Sequence, residues 1–479
     1  MPQAKFVTGS IMRHIWVMTS TATIGISALF LVDLLDIFFL SLLGQKELAA
    51  AVGYAGTITF FTTSIGIGLA IAMGAVVSKA IGAKEKQKAK QLMINASVVT
   101  VITSVIVAVI VTLCIPNLVA LIGASGKTAS LAESYLYIII PSMPLICLAM
   151  ALGAVLRAVG DAKLSMLSTL TGGGVNAALD PIFIFSLGMG IEGAALASVM
   201  ARLAVLVVSA RGVFIKHQLG IQFELTTFKR DLKPIFAIAA PAMLTNVATP
   251  IGNGVVTKAI ADFGDSNVAA WAVLGRIIPV AFGMIFALSG AIGPIVGQNY
   301  GAKEYGRVRL ALTNSLQFMF IYVVALSLII FLVKDFVIAA FDLQGHGADM
   351  FRFFCTYIAV FFVFSGALFV ANASFNNLGK AKYSSFFNIG KATLGTIPFV
   401  YFGSQLAGVH GVLIGQVMGS VIFGIAGVLV AYRLIDRVEK EDTEDVSNNK
   451  SAIESEELTP EVCNPLSSSC TQMGQLSKE

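Results

Sequence analysis

The chain has 479 residues, of which 56% are apolar and 12% charged, where a soluble domain carries about 25% charged residues. Twelve mostly apolar segments of about 20 residues or more follow one another, each long enough to cross a hydrocarbon layer of about 30 Å at about 1.5 Å per residue. These proportions exclude an ordinary soluble protein and leave a polytopic helical membrane protein.

In chain order the predicted spans cover residues 15–43, 48–79, 92–122, 134–156, 164–187, 193–210, 234–261, 267–298, 310–333, 353–377, 384–405 and 409–432. The first is longer than the core of a cleavable signal, about 7–15 residues, and a second follows almost at once, so it is expected to stay as a membrane helix. An even number of spans puts both termini on one side. Loops after the even-numbered spans up to the tenth hold sixteen Lys and Arg, among them Lys84, Arg157, Lys229 and Lys303. The intervening loops hold four, Lys46, Lys127, Lys334 and Arg352. The positive-inside bias places the first set and both termini in the cytoplasm, with the chain in the cell (plasma or inner) membrane.

Gly82-Ala83-Lys84-Glu85 recurs as Gly301-Ala302-Lys303-Glu304, so that Gly82 is repeated at Gly301 and Lys84 at Lys303. The same offset relates Gly160-Asp161-Ala162-Lys163 to Gly379-Lys380-Ala381-Lys382, and Gly74 to Gly293. That offset spans six helices, an even number, so the second half repeats the first in the same orientation, about an axis along the membrane normal. The predicted fold is therefore an all-α integral membrane protein of twelve transmembrane helices, arranged as two six-helix lobes related by a parallel internal repeat. Residues 1–210 form the N-terminal lobe, 211–233 a cytoplasmic linker and 234–435 the C-terminal lobe. Residues 436–479, with eleven acidic against four basic residues, are expected to be a disordered acidic cytoplasmic tail. Such a duplication suits alternating access around a site near the midplane.

Three carboxylates lie inside the spans, Asp33, Asp36 and Asp180. An ionised Asp costs roughly 3 kcal/mol or more at the bilayer centre, so each is expected to face a partner or a watery cavity. Asp33 and Asp36, three apart, share a helix face, and so do Asn176 and Asp180, four apart. Carboxylates around one cavity repel and oppose full ionisation, as a proton carrier requires. The same oxygens with an Asn carbonyl also suit Na⁺, giving a possible metal set of Asp36, Asn176 and Asp180. The plain alternative is a carboxylate hydrogen-bonded within the bundle. Five cysteines imply no disulfide framework and four scattered histidines no metal site. Gly126-Lys127-Thr128 imitates the end of a phosphate-binding loop, but Leu121 stands where that pattern needs Gly. An ion gradient is the expected energy source.

Four stretches carry a family resemblance: Val32-Asp33-Leu34-Leu35-Asp36-Ile37-Phe38-Phe39 before Leu43-Gly44, Leu156-Arg157-Ala158-Val159-Gly160-Asp161-Ala162-Lys163, Asn176-Ala177-Ala178-Leu179-Asp180-Pro181, and Gly193-Ala194-Ala195-Leu196-Ala197-Ser198. In this order and spacing the chain resembles the multidrug and toxic compound extrusion (MATE) transporters over about residues 10–435. The resemblance implies a cation-coupling cluster in the N-terminal lobe, carried over onto Asp36, Asn176, Asp180 and Ser198, the last in place of a more usual Thr. Asp33, on the same helix face as Asp36, joins these four as an ion-coupling candidate from its position in the span rather than from the resemblance. The resemblance also places Lys258 and Arg276 beside the cleft, as gating residues or charge partners, while Arg202 and Lys391 read as snorkelling or paired cations. The phenylalanines of span ten read as lipid contact and packing.

Two departures stand out. Spans seven to twelve hold no clear carboxylate, Asp262 lying just past a span end, which favours coupling in the N-terminal lobe. Span one lacks the proline of many members, since Ala22 stands where the repeat offset from Pro241 would put it. The implied function is a secondary active multidrug efflux antiporter exporting amphipathic or cationic organic compounds in exchange for H⁺ or Na⁺, H⁺ being favoured. It needs no cofactor and no nucleic acid, its partners are small-molecule organic substrates and the lipid bilayer, and it is expected to be a monomer. Two alternatives remain at this stage, a lipid-linked-sugar flippase of a related fold, which needs a basic cleft, and a membrane-embedded enzyme.

Overall fold

The computed structural model describes residues 4–43, 46–220 and 222–457, and among these it is almost wholly helical, with no strand. The N-terminal lobe comprises α1 (Ile11–Ser41), α2 (Lys46–Gly82), α3 (Lys86–Leu121), α4 (Gly126–Ile139), α5 (Met143–Ala158), α6 (Ala162–Pro181) and α7 (Gly190–Ala210). The C-terminal lobe comprises α8 (Leu225–Ala261), α9 (Asp265–Ala281), α10 (Gly283–Gly301), α11 (Tyr305–Ala340), α12 (Gly345–Phe353), α13 (Phe362–Asn377), α14 (Lys382–Ala392) and α15 (Ile397–Glu457). Met1–Arg433 forms one compact unit and Leu434–Glu479 a second.

Among the described residues fifteen helices make twelve spans, because several spans are broken. The turn at Ile140–Ser142, with Pro141, separates α4 from α5, and Phe282, three residues after Pro279, separates α9 from α10. A π turn at Phe354–Ile358 and a 3-10 turn at Ala359–Phe361 part α12 from α13. Ten stretches are long and apolar enough to cross a membrane. The one over Lys382–Glu444 holds two spans, because Ala407 and Gly408 leave helical geometry. α6 adds the last: its 20 residues reach about 30 Å, although Gly, Ser, Thr, Asn and Asp dilute its apolar character.

Residues 436–457, expected to be disordered, are helical as the end of α15. Glu, Lys and Arg lose little rotamer freedom in a helix, and Arg437 pairs with Glu441 at 2.8 Å, one turn on. The rest of the expected tail, 458–479, with Cys463 and Cys470, lies outside the described residues.

The internal repeat is visible in the backbone. Lys84 and Lys303 take the left-handed conformation at φ 61° and 60°, each closing a helix. Behind Lys84, the amide of Glu85 donates to Ala80 O at 3.0 Å; behind Lys303, the amide of Glu304 donates to Asn299 O at 2.9 Å. This is the Schellman cap, which satisfies carbonyls that the helix end leaves unpaired. Gly160 and Gly379, at φ 77° and 74°, repeat the device at the ends of α5 and α13.

At the end bearing Lys84 and Lys303 the two lobes are clamped together. A Cβ on Gly82 would collide with the carbonyl of Gln298, and one on Gly301 with the carbonyl of Lys79. These are the same contact twice, since Gly82 and Lys79 are the repeat counterparts of Gly301 and Gln298. Ser78 donates to Asn377 Oδ1 at 3.4 Å, and the Lys79 ammonium stands 4.3 Å from the centre of the Tyr300 ring, a cation–π contact across the lobes. The segment before α1 adds a strap. The amide of buried Phe6 donates to Gln298 Oε1 at 2.9 Å, and Arg307 donates to Phe6 O at 2.9 Å and Gly9 O at 3.1 Å. Gln298 itself donates to Ala158 O at 2.7 Å, reaching the other lobe.

Candidate functional site

α1 and α6 pack side by side, and their facing sides bring three of the sequence candidates together. Asn176 Nδ2 donates to Asp36 Oδ1 at 2.7 Å and to Asp180 Oδ2 at 2.8 Å. Asp180 is fully buried and Asn176 nearly so, at 0% and 4% exposure, while Asp36 is half-buried. The spacing explains the register, because residues four apart on α6 project from one face. Asp36 lies seven turns beyond the start of α1, so the trio sits roughly 38 Å along that helix from the clamped end.

Asp180 Oδ1 is buried without a hydrogen-bond partner. No Lys or Arg forms an ion pair with Asp180 among the described residues. Two ionised carboxylates in such a place repel at short range, and a buried oxygen with nothing to bond to is costly. One added cation relieves both faults. The amide turns its NH₂ toward both carboxyls; the reverse orientation would set its carbonyl against two acceptor oxygens. The amide as placed therefore presents donors to the pair and keeps its oxygen turned away from it. Among the described residues no group of three His, Cys, Asp or Glu is arranged to hold a metal ion.

The other candidates stand apart from the trio. Ser198 is half-buried on α7, which packs on α6, and makes no hydrogen bond with the three. Nothing is described of the Asp33 side chain. Lys258 and Arg276 are exposed on α8 and α9 and make no ion pair among the described residues. Arg202 neither snorkels nor pairs with a carboxylate: it donates to Ile139 O at 3.0 Å and Ser142 Oγ at 2.8 Å, filling the break before α5 where Pro141 stands. One network escaped sequence reasoning. Asp161 caps α6 through Leu164 N at 3.3 Å and binds Lys216 Nζ at 2.7 Å and His217 Nε2 at 2.9 Å. Partial burial pushes its carboxyl up, but the hydrogen bonds from Lys216, His217 and the Leu164 amide together hold it below the ordinary aspartate value. The N-cap position of Asp161 before a helix was the available signal.

The repeat sharpens the asymmetry between lobes. Near the repeat offset Asn176 corresponds to Thr393, Leu394 or Gly395, and Asp180 to Ile397, Pro398 or Phe399. Asp36 corresponds to Val255 or Val256. The acidic cluster exists once.

A family model described as MatE matches residues 22–182 and 241–402. A FAD transporter of Shewanella oneidensis is 26% identical over 422 residues, 87% of this chain and 93% of that protein. The multidrug export protein MepA of Staphylococcus aureus is 23% identical over 417 residues, 86% and 91% of the two. Among solved structures, the Vibrio cholerae MATE transporter VcmN superposes with a TM-score of 0.85 at 25% identity, covering 89% of this chain and 97% of that one. An outward-facing multidrug resistance MATE family transporter of the MOP superfamily gives 0.83 at 25% identity, with 92% and 99% covered. The named relatives are transporters, which removes the membrane-embedded enzyme from consideration. The two matched blocks begin at Ala22 and Pro241, separated by the repeat offset itself, and the chain belongs to the MatE family, the multidrug and toxic compound extrusion transporters.

Proposed function

We propose that this transporter is a secondary active antiporter that exports amphipathic organic compounds in exchange for inward-moving H⁺. The observation that carries the reading is the Asp36–Asn176–Asp180 trio, a half-buried and a fully buried carboxyl joined by one amide, with one oxygen left over. Protonation removes a buried charge and supplies the missing donor. The N-terminal lobe then packs differently with and without the proton, and a substrate that prefers the unprotonated form drives the proton off. The named relatives, one a FAD transporter and one a multidrug exporter, both fit amphipathic organic substrates. The lobes bounded at 1–210 and 234–435, joined by 211–233, are the two bodies that rock. Positive-inside bias puts the clamped, lysine-rich end in the cytoplasm with both termini, so the described state is closed inward and the cell membrane is its place. A monomer suffices, because both lobes lie in one chain.

The test is efflux of ethidium from vesicles reconstituted with purified protein. An imposed pH gradient should drive it, and Asp36→Asn and Asp180→Asn, nearly isosteric, should each reduce it to background while the protein still inserts. Wild-type rates in both variants would sink the assignment. Efflux driven by a Na⁺ gradient alone, and indifferent to a protonophore, would leave the trio as a sodium site instead.

A further inference from the structure

Arg157, Arg202 and Lys391 are partly buried cations inside or beside the spans with no acidic partner among the described residues. Two have structural explanations. Arg202 satisfies a carbonyl at the α4–α5 break, and Arg157 donates to Ser165 Oγ at 3.0 Å, tying α5 to α6. Lys391 does not fit this pattern. Its Nζ makes one hydrogen bond, to Ser365 Oγ at 3.2 Å, and Ser365 passes it on to Ser420 Oγ at 3.1 Å. An ammonium has three hydrogens to give, and the membrane interior makes an uncompensated charge expensive.

The backbone breaks at the same place. α14 ends at Ala392, residues 393–396 form a turn, and the helix resumes at Ile397, so span eleven is interrupted directly after Lys391. Span five, its counterpart in the first lobe, is continuous through the positions that match this break, around Asn176, and ends in a π turn at Ile182–Ser186. Irregular backbone at membrane depth survives only against a polar cavity or buried protein, and here it adjoins an ammonium with hydrogens to spare.

We propose that Lys391, with the hydroxyls of Ser365 and Ser420, is the recognition site in the C-terminal lobe for an anionic group, carboxylate or phosphate, on the transported compound. It deepens the antiport reading and rests on the chain being a transporter. The acidic trio handles the coupling ion and the opposite lobe reads the substrate's charge. An oxyanion takes up the idle ammonium hydrogens and accepts from the hydroxyls, and charge-assisted bonds of this kind are the stronger ones.

The test compares pyrenebutyrate with pyrenebutanol, which share ring and chain and differ in the anionic group, by equilibrium binding to the full-length protein in neutral detergent. Wild type should prefer the acid by about tenfold, as one charge-assisted hydrogen bond allows. Lys391→Gln should reduce the preference to about one, and Lys391→Arg should keep it. Asp36→Asn, which addresses coupling, should lose ethidium efflux yet keep the preference, so the two readings fail in separate assays. The proposal is overturned if wild type shows no preference, or if Lys391→Gln retains it. Loss of the preference in phosphatidylglycerol nanodiscs, but not in phosphatidylcholine ones, would also overturn it by assigning the site to lipid headgroups.

Discussion

Asn176 holds two carboxyls at once, and its substitution separates the two contributions the trio makes. Asn176→Ala leaves both without their amide donor, and charge-assisted bonds contribute about 1.5–3 kcal/mol each. It should lower the thermal midpoint of the detergent-solubilised protein by several degrees and suppress gradient-driven efflux together; an unchanged midpoint would mean that the amide is not structural. Asp161 gives a prediction of opposite character, outside the membrane. Its carboxyl is held below the ordinary value, so the stability it adds is fully present above about pH 4 and is lost as pH falls through the lowered value. Asp161→Asn should therefore cost about 1 kcal/mol at pH 7, and the gap to wild type should close as pH falls through that lowered value; a constant gap would contradict the charge assignment. At this scale the sequence was legible where chemistry repeats at helical spacing, as in Asn176 and Asp180. It was silent where a side chain's meaning depends on a neighbour far along the chain. Arg202 and Lys391 look alike in sequence, and only Pro141 beside one and the helix break after the other tell them apart.

The two Gly-Ala-Lys-Glu motifs show why the repeat could be read at all. Their glycines are helical, and their task is close approach between lobes; the strained residue is the lysine, at φ near +60° in both copies. Closing the same helix against the same partner twice conserves the tetrapeptide across an otherwise diverged duplication. A methyl on Gly82 or Gly301 meets backbone carbonyls, which cannot turn aside as a side chain could. Gly82→Ala and Gly301→Ala should each force the clamp apart, raising the labelling rate of a cysteine placed at Ser78, buried inside it, in a cysteine-free background about tenfold, the response to roughly 1.4 kcal/mol. Equal rates would mean that the contact carries no part of the closure. Element boundaries were less legible. α6 is diluted by its own polar residues, and the helical stretch 436–457 has the charge of a solvated tail together with side chains that favour helix.

Alternating access requires the clamped end to open, and the strap ahead of α1 is then in the way. Phe6 is bonded to Gln298 through its amide and to Asn299 and Arg307 through its carbonyl, at 2.9, 3.1 and 2.9 Å. Lys5 on the same strap donates to Gly160 O at 3.4 Å, in the other lobe. Opening must break one set or the other, so the strap adds its free energy to the closed state alone. A contact that favours one state shifts the equilibrium by its differential strength, and losing a hydrogen bond from a charged donor is worth about 1.5–3 kcal/mol. Arg307→Gln, which keeps the helix and shortens the reach, should therefore increase the open population at least about tenfold, read as faster modification of a cysteine at Ala302 by an impermeant thiol reagent. The reagent should act on inverted vesicles and not on intact cells, because the lysine-rich end is the one proposed to face the cytoplasm. Labelling from outside would reverse the topology, and a rate unchanged from wild type on the inner side would show that the strap follows one lobe as the clamp opens.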